Sequence, residues 1–115
     1  MVGLRIPIAV VIVACAAAVI GTRHAAAAGD VKAGRQKALK CQTCHGLDGQ
    51  SKLPEAPNLA GQSDIYLIKA LKDYRSGARK NDMMSLVAPS LKDEDIADLA
   101  AYYAAISVTV GPPPQ

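Results

Sequence analysis

The sequence predicts a small all-α domain. Three observations point there. Apolar residues recur at helical spacing in two segments, helix-start residues precede each helical segment, and no stretch alternates apolar with polar residues as a half-buried strand does. The chain has 115 residues, enough for one such domain.

Asp30 caps a first helix, "VKAGRQKALK" (31–40). Residues 46–61, "GLDGQSKLPEAPNLAG", are rich in Gly and Pro and read as loop. Ser63 or Asp64 starts a second helix, in which Leu67, Ala70, Leu71 and Tyr74 share one face. Ser76 and Gly77 end it. Residues 78–90 read as a polar loop running into a short apolar stretch broken by Pro89. The third helix lies within "KDEDIADLAAYYAAI" (92–106). Acids crowd its first turn, where the helix dipole favours them, and Ile96, Leu99, Ala100, Tyr103 and Ile106 make its buried face. Residues 109–115 read as a flexible tail.

Residues 1–28 have the layout of a secretory signal peptide. Arg5 supplies the charge, residues 6–21 are apolar, and "HAAAAG" offers a small-residue cleavage site. The apolar run is shorter than the roughly 20 residues a membrane-spanning helix needs. "IVAC", ending at Cys15, resembles a lipoprotein lipobox, which leaves open a membrane tether. Without this leader the domain is 29–108 plus the tail. Eleven basic and ten acidic side chains remain, so the formal charge falls from +3 to +1. With no basic stripe interleaved with aromatics, nucleic-acid binding is not expected. The chain has four Tyr and no Trp or Phe, so a large flat cofactor is a natural source of interior bulk.

The chemistry concentrates in "KCQTCHG" (40–46). Zinc wants three or four protein ligands drawn together, and beyond Cys41, Cys44 and His45 the only other Cys and His lie in the leader. A thioredoxin-like pair belongs after a strand. An ordinary disulfide, or free thiols, would put His45 on the surface. C-x-x-C-H is the attachment motif of c-type haem. Its two thiols reach the two vinyl groups of one porphyrin, and the imidazole that follows lies under the iron. An iron in an electron carrier wants a sixth ligand, and Met is one option. Beyond Met1, the only methionines are the adjacent Met83 and Met84.

At this point the chain resembles class I c-type cytochromes, and among them the single-haem bacterial type similar to a cytochrome c4 half, cytochrome c553 and cytochrome c5. "CQTCHG", "PNLAGQ" (57–62), "YLIKAL" (66–71), "YRSGARKNDMM" (74–84) and "LKDEDIADLAAYYA" (91–104) carry the resemblance. It implies the small cytochrome c fold, three main helices around one covalently attached haem c. It implies thioethers at Cys41 and Cys44, His45 as proximal ligand, and a Pro57 carbonyl accepting the proton of the His45 ring. The axial Met falls seven residues before Leu91, at Met84, with Met83 as the alternative. Gly34 matches a family glycine that lets an aromatic of the last helix, Tyr102 or Tyr103, come close. Arg79 and Asn81 lie in the Met loop, near the sulfur or a haem propionate. Tyr66 and Tyr74 line the haem or fill core. The family often has Ser where Lys92 stands, so Asp93 is expected to take over the cap.

The function implied is a periplasmic electron carrier, not an enzyme. It would pass single electrons between redox protein partners, with Lys40 and Lys52 near the haem edge steering an acidic one. Two alternatives stay open: a haem subunit dedicated to a dehydrogenase or oxidase complex, and an open-site sensor or peroxidase if neither Met ligates.

Overall fold

The computed structural model describes residues 28–115, so the leader and the lipobox reading of Cys15 lie outside the described residues. Among the described residues the regular structure is entirely helical: α1 (Val31–Lys37), α2 (Gln42–His45), α3 (Asp64–Ser76), α4 (Met84–Val87) and α5 (Asp93–Ala104), with 3₁₀ turns at Ala38–Lys40 and Ala88–Ser90. No described helix is long and apolar enough to cross a membrane.

Helices α1 and α5 cross, and α5 also packs on α3. Their shared core is Ala38, Leu67, Leu99, Ala100 and Tyr103, with Leu47, Leu59, Ile68, Leu71 and Leu91 packed around it. Ile96 is fully buried beside this core. Burying each such aliphatic side chain stabilises the fold by about 1.5–3 kcal/mol. Helix α5 supplies Ile96, Leu99, Ala100 and Tyr103 to the buried set, as its periodicity indicates. Ile106 lies past the end of α5 and is half-buried against the core.

The crossing of α1 and α5 rests on Gly34. A Cβ there would lie 2.0 Å from the Asp98 carbonyl oxygen and 2.7 Å from the Tyr102 Cβ. Tyr102 is thus the aromatic residue brought close, while Tyr103 turns into the core. The same crossing is polar at its rim. Asp98 accepts from the Asp30 backbone N–H (2.7 Å) and from the Lys37 ammonium (2.7 Å), and Lys37 also pairs with Asp95 (2.8 Å). The bonded Lys37 ammonium holds both carboxyls below the ordinary aspartate range, with the Lys92 N–H adding to Asp95 and the Asp30 N–H to Asp98. The two carboxylates in turn raise Lys37.

Of the three longest helices, α1 and α3 start on a side-chain cap and α5 does not. Asp30 accepts the Ala33 N–H, and the Ser63 hydroxyl faces the Tyr66 N–H at 3.5 Å. The expectation that Asp93 caps the last helix is corrected: Asp93 is its first residue and Lys92 stands at the cap in extended backbone. A lysine side chain has no acceptor. The turn is closed from inside instead, by Asp95 accepting the Lys92 N–H at 2.9 Å. Asp93 is thereby free to pair with Arg75 (2.6 Å), which also donates to the Leu91 carbonyl and ties α3 to the start of α5. The first helix was expected to run unbroken to residue 40. It tightens to 3₁₀ geometry after Lys37 and so delivers Cys41 onto a new turn.

Candidate functional site

Cys41, Cys44 and His45 occupy one turn. The Cys41 carbonyl accepts from both the Cys44 and His45 N–H groups, at 3.3 and 2.9 Å. Residues three apart on a helical turn share a face, which sets the two thiols side by side. Both are free thiols, and burial pushes the Cys41 thiol up. The turn stops at Gly46, whose φ of +72° lies in the left-handed region. A Cβ at that position would sit 2.4 Å from the Gln50 carbonyl oxygen. The chain can therefore double back only because this residue is glycine.

His45 is buried, at 8% exposed. Its Nδ1 lies 2.9 Å from the Pro57 carbonyl oxygen. A carbonyl only accepts, so Nδ1 carries a proton in this bond. That leaves Nε2 as the ring nitrogen with no part in this bond.

The loop that presents Pro57 is held at several points. Leu59 N–H and Ala60 N–H both donate to Gly49, at 2.8 and 3.1 Å, and Lys52 N–H donates to the Cys44 carbonyl at 2.8 Å. The Asn58 side chain accepts the Ser51 N–H at 2.7 Å. Gly61 N–H reaches the Tyr103 carbonyl at 2.9 Å, which fastens the loop to α5. The tyrosines of α5 hold the same turn from the other side. Tyr102 donates to the Leu47 carbonyl at 2.6 Å and Tyr103 to the Gly46 carbonyl at 3.2 Å. Burial raises the Tyr103 phenol well above its ordinary value, so it remains a donor at all working pH.

The two methionines part company. Met83 is 60% exposed and precedes α4, whereas Met84 is its first residue and half-buried. Residues 78–90 were read as loop, and α4 within them went unread. Asn81 holds this short helix, accepting both the Met83 and the Met84 N–H at 3.0 Å. Its Oδ1 thus acts as a backbone cap. The preference of Asn for helix starts was the available signal. Arg79 is likewise engaged locally, stacked 4.7 Å over the Tyr74 ring and bonded to the Tyr66 hydroxyl at 3.4 Å. Of the two lysines assigned to steering, Lys52 is paired with Asp48 at 3.0 Å.

The donor set suits a covalently held haem. Two reduced thiols lie on one turn, followed directly by an imidazole with its outer nitrogen free. A groove of mixed lining, Leu53, Pro54, Ala56 and Pro57 with Ser51, Lys52 and Asn58, lies beside the histidine's carbonyl partner. The donors suit a protein-only metal centre poorly. No described group of three or more Cys, His, Asp and Glu is arranged to hold an ion.

The family model described as cytochrome c matches residues 31–106. Cytochrome c4 of Pseudomonas aeruginosa is 46% identical over 90 residues, 78% of this chain and 45% of that protein. Cytochrome c-554(548) of Halomonas halodenitrificans is 52% identical over 79 residues, 66% of this chain and 95% of that protein. Among solved structures, reduced cytochrome c4 from Pseudomonas stutzeri superposes with a TM-score of 0.67 at 40% identity, covering 73% of this chain and 49% of that one. The chain thus spans about half the length of the cytochrome c4 relatives and nearly all of the Halomonas protein.

Proposed function

Because this chain belongs to the cytochrome c family, whose members carry covalently bound haem c, we propose that it is a single-haem electron carrier ligated by His45 and Met84. Haem c, when bound, supplies a one-electron ferrous–ferric couple. Cys41 and Cys44 hold it through thioethers. His45 would hold the iron through Nε2, because Nδ1 is committed to the Pro57 carbonyl at 2.9 Å. That hydrogen bond is the observation that carries the reading. It fixes the tautomer, orients the ring and raises its basicity as a ligand.

Met84 completes the coordination in preference to Met83, being half-buried where Met83 projects into solvent. A thioether opposite a histidine raises the reduction potential. Should His45 and Met84 both hold the haem iron, no position would remain for a substrate atom, which supports a carrier over an enzyme. Its donor and acceptor are redox proteins that dock over a small, transient interface. The leader layout supports export to the periplasm, the compartment side on which c-type haem is attached.

The test is a potentiometric titration of protein produced in a host that matures c-type haem, followed by carbon monoxide addition to the ferrous form. A reversible one-electron couple with slow, partial carbon monoxide binding is expected. Rapid, complete binding would overturn the closed-site reading in favour of a gas-binding or peroxidase haem.

A further inference from the structure

Helix α4 is four residues long and cannot hold itself. A single helical turn fixes several dihedrals for very few hydrogen bonds and is unfavourable in isolation. Successive side chains on a helix also point about 100° apart. Of two adjacent methionines, only one can therefore face a given point, and the rotation of this turn decides which.

Asn81 sets that rotation. Its Oδ1 accepts the N–H of Met83 and of Met84, each at 3.0 Å. Its carbonyl accepts the Ser85 N–H at 2.9 Å, and its own N–H donates to the Ser85 hydroxyl at 3.0 Å. Both methionine amides are thereby bound to one oxygen, and the following residue closes the ring. The result is Met83 exposed and Met84 half-buried. Arg79 braces the approach to this turn, its backbone N–H bonded to the Asp73 carbonyl at 3.0 Å and its guanidinium over Tyr74.

We infer that Asn81 is the positioning residue that selects Met84 over Met83 as the axial ligand and holds it against competitors. The inference rests on the Met84 reading given above. Asn81 touches neither iron nor sulfur in this scheme; it acts through the backbone of the turn.

The experiment measures imidazole binding to the ferric haem-loaded protein, together with the far-red sulfur-to-iron band. Imidazole competes with the methionine for iron, so its dissociation constant reports how firmly that ligand is held. An Asn cap lost to Ala is worth about fivefold in such an equilibrium. Asn81→Ala is expected to tighten imidazole binding about fivefold and weaken the band. Asn81→Asp, which keeps the acceptor, should restore both. Asp30→Ala removes the cap of α1, far along the chain from the methionines. It should lower stability similarly and leave imidazole affinity unchanged. That control separates positioning from general destabilisation.

Wild-type imidazole affinity in Asn81→Ala, beside a Met84→Ala variant that has lost the band, overturns this inference and leaves the Met84 reading standing. Equal tightening in Asp30→Ala also overturns it. A band that survives in Met84→Ala overturns both.

Discussion

Replacing Gly34 with Ala tests a close backbone approach at the crossing of α1 and α5. The added Cβ would meet the Asp98 carbonyl oxygen at 2.0 Å, its carbonyl carbon at 2.7 Å and the Tyr102 Cβ at 2.7 Å. Two of these neighbours are backbone, so no side-chain rotation relieves the clash. Helix α1 would have to retreat from α5 by about 1 Å or more to restore ordinary van der Waals separation. Overpacking of this kind costs typically 1–3 kcal/mol, and a backbone obstacle places it near the top of that range, at about 3. Ala is a better helix former than Gly by about 1 kcal/mol, which offsets part of the loss. The net expectation is a destabilisation of about 2 kcal/mol, or roughly 8–16 °C in Tm for a domain of this size. Thermal and urea melts of the haem-loaded protein read it directly. The retreat would also loosen the Asp30 N–H and Lys37 bonds to Asp98, so a drop in amide protection at residue 30 should accompany it. A Gly34→Ala variant as stable as the parent, or more so, would refute the packing argument. It would mean that helix propensity governs this position and that the crossing is slack.

Three further outcomes are expected. Tyr103→Phe removes the hydrogen bond to the Gly46 carbonyl inside the core and should cost about 1 kcal/mol in a urea melt; no loss would mean that this carbonyl finds water instead. Asp95 and Asp98 have depressed carboxyl groups, so their stabilising effect is fully present above the unfolded-state value near 4 and fades as pH falls through their lower folded values. Lys37 is raised, so its share is full below about 10.4 and is lost only at strongly alkaline pH. Acid melts of Asp98→Asn should accordingly show a flatter decline below pH 4 than the parent, and an unchanged slope would remove this network from the account. Met84→Ala should abolish the far-red band and admit exogenous ligands to the iron at least tenfold more tightly, whereas Met83→Ala should change either by no more than about twofold.

Much of this was legible in the residues. C-x-x-C-H names its own chemistry because few other uses place a histidine directly after two thiols at that spacing. The α5 stripe was legible because one apolar face dominates its packing. The close approach at Gly34 was implied by the family resemblance, with Tyr102 or Tyr103 as the aromatic, and the geometry selects Tyr102. What stayed hidden was set by partners distant in sequence or by backbone geometry. Lys37, Asp95 and Asp98 look like ordinary surface charges until the helices cross. Asp93 looked like a cap because aspartate prefers that place, but its carboxylate is drawn to Arg75, 18 residues earlier, and Asp95 does the capping in reverse. Helix α4 is too short to carry a periodic signal, and only the Asn three residues before Met84 marked its start.

The central claim is a covalent haem held between His45 and Met84. Its most direct test is one optical experiment on protein matured in a host competent for c-type haem. Ferric and ferrous spectra are recorded, and the denatured protein is then extracted with acidic organic solvent. The account requires haem that stays with the polypeptide and a weak far-red sulfur-to-iron band in the ferric form. Haem that extracts freely, under conditions where a control cytochrome retains its own, would contradict it.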